Sequence, residues 1–270
     1  MVMELKNKKL LITGGASGIG KIMARKSLER GVSHLVIWDI NEEGLSKTKE
    51  EFSKLGIPIF IYKVDVSNLD EIKIYAQKVR TEVGKIDVLI NNAGIVVGKY
   101  FHENTHQDIQ KTMLINSNAL MHVTLEFLPE MMKENSGAIC NIASSAGLIS
   151  NPKMAVYAAS KWAVNGWSDS LRLEMEQLKK NISVTTIMPF YINTGMFDGV
   201  QSKLIPILEP EPTAEKIIKS IENKRKILAM PLPYWFIRLS QGILPLPIFD
   251  WIMDHVFGVY DTMKYFKGRR

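Results

Sequence analysis

Lys9-Leu10-Leu11-Ile12, then Thr13-Gly14-Gly15-Ala16-Ser17-Gly18-Ile19-Gly20, form the stretch that decides the fold. The run over 9–13 is too short for a helix and reads as a strand. It leads directly into glycines at 14, 18 and 20, and an amphipathic segment over 19–30 follows. Glycine allows the tight turn and a close backbone approach. The helix that starts there offers unpaired N–H groups and a partial positive charge, which suits a pyrophosphate. A glycine triplet alone is weak evidence. A strand before it and a helix after it are what dinucleotide binding requires, against the alternative of an ordinary strand-to-helix turn.

The same alternation continues outward. Apolar runs at Leu35–Trp38, Ile59–Lys63, Val88–Ile90, Ala138–Ile142, Val184–Met188 and Ile227–Met230 read as further strands, seven in all. Amphipathic segments at 42–55, 69–83, 105–133, 156–178 and 213–223 read as helices between them. Strand and helix repeated in this way predict an α/β fold, a Rossmann-type doubly wound parallel sheet with helices on both faces. Continuous apolar runs suit strands buried on both sides. The texture changes after Met230, where Pro231-Leu232-Pro233-Tyr234-Trp235-Phe236 and Leu244-Pro245-Leu246-Pro247-Ile248-Phe249 are apolar and broken by proline. The expected organisation is a dinucleotide-binding catalytic domain over 1–230 and an apolar C-terminal extension over 231–270. The extension packs on the domain or a partner subunit, or forms a rim that touches lipid.

In a doubly wound sheet, ligands sit at the carboxyl ends of the strands. Asp39 closes the second strand, 19 residues beyond Gly20. A carboxylate there accepts from the ribose 2′-OH of NAD and repels the 2′-phosphate of NADP. No Arg or Lys occupies 15–17 or directly follows Asp39, which favours NAD; the alternative is that Asp39 only caps the next helix. Asp65-Val66 after the third strand is a candidate adenine contact, and Asn91-Asn92-Ala93-Gly94 ends the fourth.

Tyr157 and Lys161 stand at i and i+4 on a helix and share a face. A free tyrosine ionises near about 10, and a neighbouring ammonium lowers that value. Tyr157 is therefore the candidate acid/base for an alcohol and its carbonyl, with Lys161 also holding the nicotinamide ribose. Ser144 ends the fifth strand and is a candidate to hold the substrate oxygen, with Ser145 as competitor. Asn116 lies inside the fourth helical segment, where it binds water or a backbone carbonyl in support of a proton path, or merely bends a core helix.

Together, Thr13–Gly20, Asp65, Asn91–Gly94, Asn116, Ser144, Tyr157 and Lys161 resemble the motifs of the short-chain dehydrogenase/reductase family, in order, over roughly residues 8–230. The resemblance implies hydride transfer at the nicotinamide with an Asn–Ser–Tyr–Lys tetrad of Asn116, Ser144, Tyr157 and Lys161. It implies cofactor contacts at Gly14, Ser17, Gly18, Ile19, Gly20, Asp39, Asp65, Val66, Asn92, Ala93, Gly94, Tyr157, Lys161, Pro189, Ile192 and Thr194. It also implies a homodimer or homotetramer pairing the two long helices. The family often carries Pro-Gly after the sixth strand, whereas here Phe190 follows Pro189. The form Pro189-Phe190-Tyr191-Ile192-Asn193-Thr194-Gly195 and the C-terminal residues resemble the 17β-hydroxysteroid dehydrogenase type 11 and retinol dehydrogenase 10-like branch. That branch implies a lipophilic alcohol, and Phe190, Tyr191, Met196 and Phe197 supply apolar surface where the substrate loop belongs. General carbonyl reduction and a non-catalytic NAD-binding or lipid-surface protein are the rival functions.

Composition narrows the alternatives. The 270 residues are 46% hydrophobic and 23% charged, within the globular range. The net charge of +6 comes from lysines spread along the chain, so no nucleic-acid partner is expected. Lys264, Lys267, Arg269 and Arg270 form the one local basic cluster, suited to weak attraction by anionic lipid. Cys140 is the single cysteine, which forbids an internal disulfide and argues against a metal site. The polar N-terminus lacks the apolar core of a signal peptide, so a reducing, cytoplasmic setting is expected, with peripheral membrane contact left open.

Overall fold

The computed structural model describes residues 3–268. Arg269 and Arg270, two members of the basic cluster, lie outside the described residues. Seven parallel strands form one sheet in the order β3-β2-β1-β4-β5-β6-β7. They are β1 (Lys9–Thr13), β2 (His34–Asp39), β3 (Ile59–Lys63), β4 (Val88–Asn91), β5 (Gly137–Ile142), β6 (Ile182–Pro189) and β7 (Ile227–Met230). The chain winds outward from β1 through β2 to β3, then returns to pair β4 on the other side of β1. That reversal opens a crevice beyond the ends of β1 and β4, where ligands bind in such sheets.

Each strand sends alternate residues to opposite faces. Leu10, Ile12, Leu35, Ile37, Val88, Ile90 and Cys140 pack with Met23, Leu28, Leu45, Phe52, Ile217 and Ile221 on one side. Leu11, Val36, Trp38, Leu89 and Ile139 pack with Ile72, Val79, Val123, Phe127, Leu171 and Met175 on the other. The first side is covered by α1 (Gly18–Glu29), α2 (Glu42–Ser53) and α7 (Pro210–Glu222). The second is covered by α3 (Leu69–Glu82), α5 (Ala119–Lys133) and α6 (Ala155–Gln177). Asn41 and Asn68 cap α2 and α3, their side chains accepting from Gly44 N and from Asp70 and Glu71 N.

Most boundaries fall within two residues of those expected, and two helical segments differ by more. The helix expected at 213 begins at Pro210, because proline at the first helical position needs no donor and already has helical φ. The single long helix expected over 105–133 is instead α4 (His106–Met113), a π-helical turn at Leu114–Asn118, and α5. An added residue per turn is invisible to an apolar pattern, and such turns gather at functional sites.

The C-terminal segment folds as α8 (Tyr234–Ile243) and α9 (Leu246–Trp251), followed by a π-helical turn at Ile252–Val256. Its Ile237, Phe249, Met253, Val259 and Met263 share an apolar cluster with Tyr157, Met188, Phe190 and Tyr191. Among the described residues, no helix is long and apolar enough to cross a membrane.

Candidate active site

A cavity of about 270 Å3 runs along the carboxyl ends of the central strands. Of the expected cofactor contacts, every one lines it: Gly14, Ser17, Gly18, Ile19, Gly20, Asp39, Asp65, Val66, Asn92, Ala93, Gly94, Tyr157, Lys161, Pro189, Ile192 and Thr194. The glycine loop is tightly built. Gly14 has φ +66°, and a Cβ there would lie 2.9 Å from the Ala93 Cα. A Cβ on Gly20 would lie 2.1 Å from the Gly14 carbonyl oxygen, so no other residue fits without moving backbone. The Asn92 amide donates to the carbonyls of Thr13 and Gly14, each at 3.0 Å, and stitches the β4 end to the loop. Thr13 Oγ1 accepts from the backbone N–H of Asn92 and Ala93. Helix α1 has no acidic residue in its first turn, and Ser17 makes no capping hydrogen bond. Its first-turn residues Gly18, Ile19 and Gly20 line the cavity, so the positive end of the helix meets it with no acidic side chain of its own, which fits a pyrophosphate.

Asp39 accepts from Ala16 N and from Asn41 N, both at 3.0 Å, so its carboxylate is held by backbone at the cavity wall. The cap of α2 is Asn41, not Asp39. Lys161 is the only basic side chain lining the cavity among the described residues. Asp65 is fixed by Ser67, whose N–H and hydroxyl both donate to its Oδ1. Thr194 faces the glycine loop, since a Cβ on Gly18 would come within 3.6 Å of its Cβ.

Tyr157 and Lys161 lie one helical turn apart on α6, both buried, with Lys161 Nζ 5.7 Å from the phenol ring centre. Lys161 Nζ donates to the Ile142 carbonyl at 2.9 Å, which anchors its ammonium at the end of β5. Burial pushes the Tyr157 phenol up to about 12, against a smaller downward pull from the Ser144 hydroxyl. Burial pulls Lys161 down to about 8. At neutral pH the pair is therefore phenol and ammonium, the forms that donate a proton. Ser144 lines this cavity, whereas Ser145 faces a different, smaller one.

Asn116 sits in the π-helical turn, fully buried and outside the cavity lining. Its Oδ1 accepts from Ile95 N at 2.8 Å, and its amide donates to Ile95 O at 2.9 Å and to Ser160 Oγ at 3.1 Å. Ser160 Oγ in turn donates to the Tyr157 carbonyl. Asn116 thus grips the segment after Gly94 and ties it to the Tyr157 helix. Ser160 went unrecognised in the sequence although it lies inside the quoted Tyr-x-x-x-Lys run, because nothing in spacing pairs it with residue 116.

The apolar end is also sorted by the structure. Phe190, Met196 and Phe197 line the cavity, and Phe197 lies edge-on to Tyr157 with ring centres 6.1 Å apart. Tyr191, expected beside them, is turned away from it. Its hydroxyl accepts from the Asn151 amide at 3.0 Å and pairs with Thr262 Oγ1 at 2.9 Å. It anchors the C-terminal segment rather than the substrate. Phe266 and Met263 close over Gly98, where a Cβ would meet the Phe266 ring at 2.1 Å. No cluster of His, Cys, Asp or Glu suited to a metal ion occurs among the described residues.

Comparison with known proteins agrees with this geometry. Residues 8–204 match the family described as short chain dehydrogenase. Mouse (Mus musculus) epidermal retinol dehydrogenase 2 is 36% identical over 266 residues, 97% of this chain and 85% of that protein. Human estradiol 17-beta-dehydrogenase 11 is 35% identical over 237 residues, 87% of this chain and 79% of that protein. A short-chain dehydrogenase/reductase from Burkholderia phymatum, solved in complex with NAD, superposes with a TM-score of 0.81 at 25% identity. That alignment covers 89% of this chain and 95% of the other. The chain belongs to the short-chain dehydrogenase family and is a nicotinamide-dependent oxidoreductase.

Proposed function

We propose that this chain interconverts a lipophilic alcohol and its carbonyl, using NAD(H), with Tyr157 as the acid/base. The observation that carries the reading is the single cavity that joins the free end of α1 and Asp39 to Tyr157, Ser144 and an apolar wall of Phe190, Met196 and Phe197. The names of the similar retinol and estradiol dehydrogenases point the same way. A nicotinamide held in this cavity would supply or accept the hydride. The residues do the rest. Ser144 donates to the substrate oxygen and holds it against the phenol. In reduction Tyr157 donates its proton to that oxygen, and in oxidation it takes the proton back. Lys161 holds the ribose and stabilises the phenolate when it forms. Asn116 keeps the Gly94–Ile95 wall in register with the Tyr157 helix. Asp39 accepts from the ribose hydroxyls and excludes a 2′-phosphate, with no cation besides Lys161 lining the cavity among the described residues to offset its charge.

Two further contacts belong to this reading. Trp235, Leu239 and Ile243 on α8 and Leu246 and Trp251 on α9 are each more than half exposed, whereas Ile237 and Phe249 are buried. An aromatic and aliphatic face of this kind, with Arg238 on α8 and no acid in that helix, suits the surface of a lipid layer. Exposed Leu125 on α5 and Trp162 and Leu173 on α6 support self-association through those helices. The test is a fluorescence titration with NADH and NADPH, then turnover on steroid, retinoid and aliphatic alcohols. Tight NADH binding with turnover of an apolar alcohol is expected. Absence of binding by either cofactor overturns the reading.

A further inference from the structure

Among the described residues, Phe190 alone lines both of two neighbouring cavities. On one side is the cavity with Tyr157 and Ser144. On the other is a smaller chamber of about 30 Å3, bounded by Leu148, Met188, Ile205, Leu232, Ile237 and Val259. The alternation of β6 produces this placement. Met188 faces the small chamber, Pro189 faces the large one, and Phe190 stands between them where the strand ends. Its backbone is fixed, because Phe190 N donates to Met230 O at 2.8 Å. Its ring is supported edge-on by Tyr191, with centres 4.5 Å apart.

The chemistry of the small chamber is hydrocarbon. Among the described residues its polar side chains are Ser145 and Asn151, and the Asn151 amide is already spent on Tyr191, Val259 and Thr262. A polar head would leave buried groups unpaired there, whereas an alkyl or ring end would gain from leaving water. The chamber is too small for such a group while the Phe190 ring fills the boundary.

We propose that Phe190 sets the length of hydrocarbon the active site accepts, by closing the catalytic cavity against a second apolar subsite beneath α8. The proposal rests on the lipophilic-alcohol reading. It makes Phe190 a specificity-determining residue rather than a catalytic one. It also gives the absence of glycine after Pro189 a consequence, since a residue without a side chain would leave the two spaces joined.

The experiment measures dissociation constants of straight-chain alcohols, from 1-butanol to 1-dodecanol, on the NADH-saturated protein by cofactor fluorescence, with turnover on NAD in parallel. In the wild type, affinity rises with chain length and then levels off. In Phe190→Ala the levelling moves to longer chains. Each extra methylene buried gains on the order of fourfold, so within the variant the longest alcohols gain at least about tenfold over 1-butanol beyond the gain seen in the wild type. Adding Ala229→Leu, which refills the chamber from β7, returns the levelling toward the wild-type length. Levelling at the same length in wild type and Phe190→Ala overturns the proposal. Should Phe190→Ala fail to fold, Phe190→Leu carries the same comparison with a smaller shift. A shift in binding with no turnover of any alcohol upholds the partition and refutes the substrate reading, and no binding of any alcohol overturns both.

Discussion

The two ends of the cavity are built by different means. At the cofactor end, residues 13–20 and 91–94 are neighbours through backbone: glycines too close for a Cβ, amide-to-carbonyl bonds from Asn92, and Thr13 Oγ1 bridging two N–H groups. At the substrate end, Phe197 packs against Phe266, and Phe190 and Phe197 both lean on Tyr191, whose hydroxyl is held by Thr262 and Asn151 from segments far away in sequence. Backbone contact tolerates almost no substitution, because it has no flexible atoms to yield. Side-chain contact tolerates exchange of one apolar group for another of similar volume. The first end is suited to hold one constant ligand, and the second to be retuned for different ones.

That contrast can be broken experimentally. The largest expected effect falls where the two ends meet. Tyr157→Phe should lower kcat by roughly 10^3-fold while leaving the NADH dissociation constant within twofold or so, read by single-turnover kinetics and fluorescence titration. Near-normal turnover would remove Tyr157 from the chemistry. Next, Gly20→Ala should weaken NADH binding by about 30-fold, equivalent to ~2 kcal/mol of overpacking against the Gly14 carbonyl. An alanine tolerated there would show that the cofactor end is not backbone-limited. Asp39→Ser should move the ratio of kcat/KM for NADPH over NADH upward by about tenfold or more, as one repulsive charge is removed at a partly solvated site. An unmoved ratio would mean that Asp39 does not select.

The pH profile is a finer probe of the same junction. In the reductive direction the required forms are the Tyr157 phenol and the Lys161 ammonium. Both exist at neutral pH, and as pH rises through about 8 Lys161 loses its proton before Tyr157 does. Reductive kcat/KM should therefore fall above about 8, and Lys161→Met should abolish that inflection. A wild-type profile without the inflection would show that the ammonium is not needed. The smallest effect on chemistry is expected at the outer face of the substrate end. Trp235→Ser combined with Leu239→Ser should lower partitioning onto anionic vesicles by about tenfold, with kcat/KM for a water-soluble alcohol changed less than about threefold. Unchanged partitioning would separate the exposed face from lipid contact.

The sequence by itself determined the alternation of strands and helices, the count of seven strands and the places where each strand ends. Short apolar runs, glycine spacing and the i, i+4 relation of Tyr157 and Lys161 are local, and local geometry is written in neighbouring residues. Even the ambiguity over Asp39 turned on one neighbour, Asn41, which takes the cap. What only the tertiary structure decided are contacts between segments distant in the chain. Asn116 grips Ile95 and Ser160 from within a π-helical turn. Ser144 and Ser145, adjacent in sequence, face different cavities. Tyr191 turns from the substrate to Thr262, and Phe190 comes to stand between two spaces. The physical reason is that side-chain direction at a strand end and packing against a distant tail depend on what the whole fold brings there, and no short-range pattern records it.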